Sequence, residues 1–503
     1  MHHSMQAIIL AAGKSQRFKR ELSKLLEPLC GRPLITYQAS LFANMNIETT
    51  FVVGYQKEAV EKAIIQAKVR HAQFVVQAEQ KGTGHALACT EKLWKKDHIL
   101  VCNGDMPLIT PTIIENLYKK HIENNATVSI VTAHDAFQAE GYGRVIKKDH
   151  GVRIIETKDT HLDPQEFCCV NAGIYLFEKA FLQNVISTLP QNQISGEYYI
   201  TELVNSATEL QHKVITIDAP FDSIRGVNTL EQLWAVEQIK RSELIRMHMN
   251  NGVRFLMPQT THVDANVIIG QGCTIATGVQ LTGMTSIETN CTVGPFATIH
   301  ESTIEHDVTI KAHSVIEQCH VKQYAKVGPF AYLRDETIID HGATVGTFVE
   351  MKKTTLGKHA KAKHQSYLGD TVIGDYSNIG GGTITANHNS LFKNETLIDA
   401  HVNIGANCTL VAPVHIQQHA YVGAGSTITQ DVPQYTLAIA RTRQLNKVGY
   451  VPILKQTLEK KLQKKRESEQ QFLKKQTTEN SQEETVLKSE YETYKIVKEQ
   501  TSV

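Results

Sequence analysis

Aliphatic residues return at every sixth position through most of the second half of the chain. One register begins at Ile269 and, after slips of one residue, resumes at Ile304 and Val321. The last run is unbroken and consists of Ile398, Ile404, Leu410, Ile416, Val422 and Ile428. A period of six fits neither an amphipathic helix, with about 3.6 residues per turn, nor a lone half-buried strand, with a period of about 2. It predicts a parallel β-helix between about residues 267 and 432, in which each short strand turns one aliphatic residue inward.

The first half has a different pattern, in which short apolar runs alternate with helical spacing. Strands are predicted at residues 6–10, 50–54, 74–77, 99–103 and 127–132. Helices are predicted between them at residues 34–44, 58–68, 84–93 and 111–124. This alternation favours a mostly parallel sheet that binds ligands at the carboxyl ends of its strands.

Two further segments complete the predicted organisation. Residues 229–250 have helical spacing and end at Asn251-Gly252, a helix stop signal, so we interpret them as an arm joining the two halves; a partner-binding helix is the alternative. After Pro452 the repeat is lost; Leu454, Leu458 and Leu462 indicate one helix, and residues 477–484 have a composition typical of disorder. The predicted domains are therefore residues 5–228, a linker helix at 229–252, a β-helix at 253–451, and a polar tail at 452–503 that is partly helical or disordered.

Composition excludes several classes of protein. Lys and Arg number 52 against 51 Asp and Glu, so the net charge is +1. This near-neutral balance gives no overall positive charge that would attract nucleic acid. No run of 18 apolar residues exists, so we expect neither a membrane span nor a membrane partner. The nine cysteines lack CxxC spacing, and the adjacent Cys168 and Cys169 are poorly placed to bridge one another. Reduced thiols and a cytoplasmic enzyme are expected.

Polar clusters follow the predicted strands where a parallel sheet binds its ligands. A small-residue turn at 11–18 lets backbone N–H groups approach phosphates, with Arg17 and Lys24 nearby. The carboxylate of Asp105, just past a strand, suits Mg²⁺ beside phosphate oxygens. Taken singly, each cluster is as compatible with a turn or a cap. The remaining clusters are at residues 77–85, 141–144, 156–158 (which includes Lys158), 171–173, 196–199 and 226–228.

The joint order of these clusters resembles the sugar-1-phosphate nucleotidyltransferases from about residue 5 to residue 451. The resemblance is greatest to the bifunctional UDP-N-acetylglucosamine pyrophosphorylase/glucosamine-1-phosphate N-acetyltransferase family, because both halves occur in one chain. It implies an α/β Rossmann-like nucleotidyltransferase domain, joined by a helical arm to an all-β left-handed parallel β-helix of hexapeptide repeats. It also implies a homotrimer in which acetyl-CoA binds in the grooves between prisms.

In the first half the resemblance implies catalytic roles for Arg17 and Lys24, which hold the nucleotide triphosphate. It assigns Mg²⁺ to Asp105 and Asn228. The positions that match UTP- and UDP-N-acetylglucosamine-binding residues are Leu10, Gly13, Lys24, Gln77, Gly82, Thr83, Asn103, Asp105, Gly143, Glu156, Asn171 and Asn228. One departure stands out: the family turn reads Gly-x-Gly-Thr-Arg, and Ser15 occupies the place of its second glycine.

In the β-helix, the polar residues that interrupt the repeat suggest His364 as a base, with Glu350 nearby to orient it. The resemblance likewise implies that His364 is the general base. The matching substrate positions are Arg334, Lys352, Tyr367, Asn378 and Asn387, and the matching acetyl-CoA positions are Gly381, His388, Ala406, Ala424 and Arg441. Four residues depart from the family pattern. His388 replaces Tyr, Ala406 replaces Ser, Asp335 replaces Pro and Lys363 replaces Gly.

The leading hypothesis is a two-site enzyme that makes UDP-N-acetylglucosamine. It would acetylate glucosamine 1-phosphate from acetyl-CoA, then transfer uridylate from UTP to N-acetylglucosamine 1-phosphate and release pyrophosphate. The alternative is a pyrophosphorylase with one activity, whose β-helix is only a trimerisation scaffold. A non-catalytic binding protein is the third hypothesis. The role of the tail and the strictness of uracil selection do not follow from the sequence.

Overall fold

The fold was examined in a computed structural model, which describes residues 4–69, 72–134, 141–148, 151–156 and 169–500. Lys158 and Cys168, singled out above, lie outside these residues. The chain forms two compact units, Met1–Ala440 and Arg441–Val503. Among the described residues no helix is long and apolar enough to cross a membrane.

A mixed sheet of nine strands forms the core of the first half. Its strands are β1 (Met5–Ala11), β2 (Glu48–Val53), β3 (Ala72–Val76), β4 (His98–Asn103), β5 (Val128–Ala133), β6 (Arg144–Lys148), β7 (Gly151–Ile155), β8 (Cys169–Glu178) and β9 (Val214–Asp218). The order is β9-β5-β8-β4-β1-β2-β3, and β6 pairs with both β8 and β7. Strands β1 to β4 are mutually parallel where they pair, whereas β8 runs antiparallel to β4 and β5. The predicted mostly parallel α/β sheet is confirmed, with antiparallel pairings added by β8 and by the β6–β7 pair.

Helices cover the sheet and connect its strands. They are α1 (Ile35–Asn44), α2 (Lys57–Gln66), α3 (Thr83–Ala88), α4 (Pro111–Glu123), α5 (Lys179–Val185) and α6 (Thr201–Glu209). Short 3-10 turns lie at Gln16–Phe18, Lys24–Leu26, Glu91–Leu93, Ile186–Thr188, Phe221–Ile224 and Pro258–Thr260, and a small hairpin pairs Pro28–Leu29 with Arg32–Pro33. Each of the four predicted helices is present, although the predicted helix at 84–93 is divided between α3 and a 3-10 turn.

The second half is a parallel β-helix of short strands. One sheet of 19 strands covers two faces of the coils: Arg254–Phe255, His262–Val263, Thr274–Ile275, Gln280–Thr282, Thr292–Val293, Thr298–His300, Thr309–Ile310, Val315–Glu317, Lys326–Val327, Tyr332–Arg334, Thr344–Lys352, Lys361–Gly369, Asn378–Ile379, Ile384–Ala386, Asn403–Ile404, Thr409–Val411, Tyr421–Val422, Thr427–Ile428 and Leu437–Ala438. A sheet of nine strands forms the third face: Ile268–Ile269, Ser286–Ile287, Thr303–Ile304, His320–Val321, Ile338–Ile339, Thr355–Leu356, Thr371–Ile373, Thr396–Ile398 and Val414–Ile416.

The six-residue period is the sequence signature of these three faces. Ile275 pairs with Val293, and Val293 pairs with Ile310, so equivalent positions of successive coils stack directly. All three side chains are fully buried. Each coil therefore stabilises the next through a continuous aliphatic core, as in other repeat proteins. The last strand ends at Ala438, before the expected domain boundary at 451.

Helix α7 (Leu230–Asn250) connects the two halves and contributes to both cores. Val236 is buried with the sheet of the first half, and Ile245 is buried with the aliphatic column of the β-helix. The Ala265 N–H also donates to the Cys30 carbonyl at 2.9 Å. This helix is therefore the predicted arm joining the halves.

The second unit contains α8 (Tyr450–Gln500), a single helix of 51 residues. Residues 477–484, expected to be disordered, lie inside it. Lys, Glu and Gln are strong helix formers despite their polarity. Thr477 and Ser481 direct their hydroxyls at the carbonyls of Leu473 and Thr478, so they are also compatible with a helix.

Candidate active sites

The first candidate site lies at the carboxyl ends of β1 and β4. Lys24 donates from Nζ to Asp105 Oδ2 at 2.5 Å and to Asn228 Oδ1 at 2.7 Å. Asp105 follows β4, Asn228 precedes α7, and Lys24 begins a 3-10 turn after β1. Three residues separated by up to 204 positions in sequence therefore meet around one ammonium group. Two oxygens that converge on one cation are a donor set that suits Mg²⁺, so Asp105 and Asn228 fit the expected metal.

The turn after β1 contains the departure noted at Ser15. Its φ is +56°, in the left-handed region that a glycine adopts without cost. The Ser15 hydroxyl is buried and has no hydrogen-bond partner among the described residues. The backbone at this position therefore keeps the left-handed conformation that suits glycine, although the residue is a serine. Gly13 is exposed, with no atom within 4 Å of the position that a Cβ would occupy, so its backbone is open to a ligand.

Gln77, Gly82 and Thr83 form a separate cluster between β3 and α3. Gln77 is buried, and its side-chain amide donates to the Gly82 carbonyl at 3.1 Å. The Thr83 hydroxyl accepts from the Ile200 N–H at 3.0 Å. Gly82 has φ of +99°, and a Cβ there would lie 2.6 Å from the Tyr198 carbonyl oxygen. Glycine is therefore required at this position, and the loop is fixed before any base binds.

The residues expected to hold the sugar phosphate line the same edge of the sheet. The Asn171 N–H donates to the Gly143 carbonyl at 2.9 Å, and the Asn171 side chain donates to the Tyr175 hydroxyl at 2.6 Å. Glu156 Oε1 accepts from the Thr201 hydroxyl at 2.9 Å. Asn171, Gly143 and Glu156 thus adjoin β6, β7 and β8, at one side of the Lys24 cluster.

The structure also places three other expected residues, Leu10, Asn103 and Arg17. Leu10 accepts at its carbonyl from the Gly104 N–H at 2.9 Å, which holds the two strand ends together. Asn103 is the last residue of β4, and its amide lies against Gly173. Arg17 is exposed, and its guanidinium lies 3.5 Å from the position that a Cβ at Gly141 would occupy.

Sequence reasoning missed Gln38 in this half. Its buried amide donates to the Asn103 and Met106 carbonyls at 2.7 and 3.0 Å, and so it holds the loop that carries Asp105. The available signal was a polar residue within the buried face of α1.

The second candidate site lies on successive coils of the β-helix. Arg334 pairs with Lys352, and Lys352 with Gly369, at equivalent positions of three coils. The Arg334 guanidinium donates to Glu350 Oε1 at 2.8 Å and to Asp335 Oδ2 at 3.0 Å. The sequence pattern predicts that Glu350 orients His364. This prediction is wrong, because Glu350 pairs with Arg334. The strand register explains the difference, because Glu350 lies beside Tyr367 and His364 lies beside Thr347.

Lys352 is the centre of a buried polar cluster. Its Nζ donates to both oxygens of Asp370, at 3.1 and 3.2 Å, and Asn387 Nδ2 donates to Asp370 Oδ2 at 2.5 Å. Gly369 makes room for this arrangement, because a Cβ there would lie 2.6 Å from the Tyr367 hydroxyl and 2.7 Å from Asn387 Nδ2. Lys352, Tyr367 and Asn387 are therefore brought together as predicted.

Asp370 and Lys393 complete this cluster and were missed from the sequence. Burial opposes the charged form of Lys352, but its contact with the Asp370 carboxylate raises its pKa on balance. The neighbouring Lys352 lowers the pKa of Lys393. Two adjacent lysines beside Arg334 form a site for a dianion such as a phosphate monoester. Lys393 lies in a loop that interrupts the six-residue period, and that interruption was the available signal.

His364 is exposed on the strand that also carries Tyr367. The next coil brings Gly381 against it, since a Cβ at Gly381 would lie 3.0 Å from the His364 Cβ. Asn378, also expected to bind substrate, pairs with Lys361 and Asn403 and is exposed. Among the described contacts none joins Asn378 to the Lys352 cluster.

Three of the residues expected to bind acetyl-CoA lie near one corner of successive coils. The Asn407 N–H donates to the Gly381 carbonyl, and the Gly425 N–H donates to the Ala406 carbonyl, both at 2.8 Å. Ala424 precedes Gly425 directly. His388 forms an isolated antiparallel bridge with Lys393 in the neighbouring loop. Arg441 belongs to the second compact unit, and its role stays a prediction.

Comparison with known proteins identifies the family. Residues 7–190 match the MobA-like NTP transferase domain, and residues 396–430 match the hexapeptide repeat of succinyl-transferase. The bifunctional protein GlmU of Clostridium botulinum (strain 657 / Type Ba4) is 36% identical over 450 residues, which cover 88% of this chain and 97% of that protein. The chain belongs to the GlmU family.

Other GlmU proteins give the same result. Those of Exiguobacterium sp. (strain ATCC BAA-1283 / AT1b) and Carboxydothermus hydrogenoformans are 38% and 37% identical, over 88% and 89% of this chain and 98% and 100% of their own length. The resemblance to a bifunctional family and the two-part fold are thereby confirmed. Membership of the GlmU family also favours two activities over a β-helix that is only a scaffold.

Proposed function

We propose that this chain makes UDP-N-acetylglucosamine in two steps, at two separate sites. The β-helix acetylates glucosamine 1-phosphate from acetyl-CoA, and the first half joins the product to uridylate from UTP, with release of pyrophosphate. The observation that carries the proposal is the presence of two polar clusters on different folds, around Lys24 and around Lys352. Each cluster has the charges that its half-reaction requires.

For uridylyl transfer, the first site has to hold two anions in line. A phosphate oxygen of the sugar attacks the α-phosphorus of UTP, and little covalent work is required of the protein. Lys24 and Arg17 hold the phosphates and offset charge on the transferred group. Mg²⁺, when bound by Asp105 and Asn228, supplies further positive charge beside the phosphates.

For acetyl transfer, the amine of glucosamine 1-phosphate attacks the thioester carbonyl of acetyl-CoA. The C–N bond forms, the C–S bond breaks and coenzyme A leaves as its thiol, while the attacking nitrogen loses a proton. His364 is exposed and accepts that proton as the general base. Arg334, Lys352 and Lys393 bind the phosphate of the substrate, and Tyr367 and Asn387 contact the sugar. Gly381, Ala406 and Ala424 form the side of the site that accepts acetyl-CoA.

Assembly and location belong to the same proposal. Exposed coil faces of a β-helix support association, and we expect a symmetric homotrimer. Apart from Cys169, the seven other described cysteines are free thiols, which supports a cytoplasmic enzyme. A stable monomer in light scattering at micromolar concentration would contradict the trimer.

The test is to assay one purified protein for each half-reaction separately. Acetyl transfer is measured with glucosamine 1-phosphate and acetyl-CoA, and uridylyl transfer with N-acetylglucosamine 1-phosphate, UTP and Mg²⁺. Both reactions are expected. Uridylyl transfer without acetyl transfer would overturn the two-site proposal in favour of the scaffold alternative.

A further inference from the structure

Most of the exposed apolar residues of α8 lie along one face of the helix, which we call the stripe. At about 100° per residue, nine of them fall within about 50° of a single line along the helix. Their exposed fractions lie between 39% and 73%, and the residues are Val451, Leu454, Leu458, Leu462, Phe472, Leu473, Leu487, Tyr491 and Tyr494. A polar helix of this length with such a stripe has a surface suited to a partner helix.

The stripe is nearly palindromic. Val451, Leu454 and Leu458 precede the central pair Phe472 and Leu473 at the same intervals at which Tyr494, Tyr491 and Leu487 follow it. Leu462 is the exception, because its mirror position is not apolar. A two-fold contact between identical chains requires a self-complementary surface, in which residue i meets residue j and residue j meets residue i. The stripe has this property for two antiparallel copies.

The charges along α8 select the orientation. Its early part is cationic, with Lys455, Lys460, Lys461, Lys464, Lys465 and Arg466 against Glu459. Between residues 484 and 492 its later part carries Glu484, Glu490 and Glu492 against Lys488, and Lys495 follows this segment. Parallel copies in register would place the cationic segment against itself. Antiparallel copies place it against the acidic segment, so opposite charges face each other at both ends.

We propose that α8 pairs with α8 of a second copy of this chain as an antiparallel two-helix contact. Leu458 meets Leu487 of the partner at each end, and Phe472 and Leu473 of both copies meet at the centre. Residues 451 to 494 would give a contact about 65 Å long. This contact is independent of the proposed reactions and of any contact between β-helices.

The first test is the mass of the full-length protein in sedimentation velocity. The double variant Leu458→Glu/Leu487→Glu is expected to weaken the contact by roughly 100-fold or more, because each copy places two charges in the stripe. Its particle should have half the mass of the wild type. Ile453→Glu is the matched control, since Ile453 is equally exposed, at 62%, but lies off the stripe. An unchanged mass in the double variant would overturn the proposal.

The second test measures orientation by disulfide cross-linking. Antiparallel copies keep the two Leu458 positions about 43 Å apart, so neither Leu458→Cys nor Leu487→Cys alone should cross-link, while a mixture of the two should. The wild type gives the background from native cysteines, seven of which are buried among the eight described. Cross-linking of either variant alone would show parallel copies and overturn the proposal. A mixture that never cross-links would also overturn it.

Discussion

Replacing Asp370 by Asn tests whether the polar cluster of the β-helix depends on a buried ion pair. Asp370 and Lys352 have side chains that are only 7% and 10% exposed. Asp370 has φ of +50°, a conformation that Asn tolerates, so Asp370→Asn changes the charge with little backbone strain. The substitution leaves the Lys352 ammonium buried without a counter-charge. It also forces the Asn387 amide to lose or change its 2.5 Å contact.

The expected cost is about 3 kcal/mol of unfolding free energy, the low end for removal of one partner from a buried pair. Asp340→Asn is the matched control. Asp340 also pairs with a lysine one coil away, Lys322, at 3.1 Å, but these side chains are 18% and 33% exposed. Loss of the Asp340–Lys322 ion pair should lower the unfolding free energy by at most about 1 kcal/mol. Both variants remove the negative charge of a Lys–Asp pair, but only one pair is buried. The difference between their costs therefore measures the effect of burial on the ion pair.

The assay is guanidinium chloride unfolding followed by circular dichroism, with tryptophan fluorescence in parallel. Trp94 lies in the first half and Trp234 in α7, so fluorescence reports chiefly the first half and should shift much less than circular dichroism. The pKa of Lys352 is raised, so the pair's contribution is full below the ordinary lysine value near 10.5 and is lost as pH rises through the higher folded value. The gap between wild type and Asp370→Asn should therefore persist from pH 7 to about pH 10. Equal costs for Asp370→Asn and Asp340→Asn would refute the reasoning.

Further predictions concern Asp105, His364, Ala406, Ser15 and His121. Asp105→Ala is expected to abolish UDP-sugar formation and leave acetyl transfer unchanged, since the clusters lie on different folds; loss of both activities in a folded variant would contradict the division of labour. His364→Ala should slow acetyl transfer by about 10²–10⁴-fold without affecting uridylyl transfer, and Ala406→Ser should raise it; an active wild type indifferent to His364→Ala would show that the base is misassigned. Ser15→Gly should stabilise the first half by about 1 kcal/mol in denaturant titrations, because it removes a left-handed serine with a buried unpaired hydroxyl. Burial lowers the pKa of His121 to about 4, and the nearby His98 is the smaller cause. Because the unfolded chain takes up this proton near pH 6.5, the unfolding free energy of the first half should fall by about 3 kcal/mol between pH 7 and pH 4. His121→Gln should make this free energy less dependent on pH.

The sequence by itself determined the β-helix and the α/β domain. A six-residue period requires equivalent positions to stack, and the aliphatic residues at Ile275, Val293 and Ile310 are buried in one column as expected. Local pattern was sufficient there because every coil repeats the same short-range rule. The antiparallel β8 did not follow from that rule, since strand direction depends on which distant strands pair.

Only the tertiary structure decided which charges meet. In the folded chain Lys24 is hydrogen-bonded to Asp105 and Asn228, and Glu350 pairs with Arg334 and not with His364. The tertiary structure also brought scattered histidines and tyrosines into ring contact at one corner of the coils, some edge-on and some stacked. The ring centroids are 4.9 to 5.4 Å apart in the series His306, Tyr324, His341, His359, Tyr376, His401, His419 and Tyr435. Such contacts join residues from different coils or domains, and their partners are set by the register and by the path of the chain. A periodic pattern of apolar residues determines which faces are buried. Charged residues that form an ion pair have no fixed spacing in the sequence, so the partner of a given charge cannot be predicted from it.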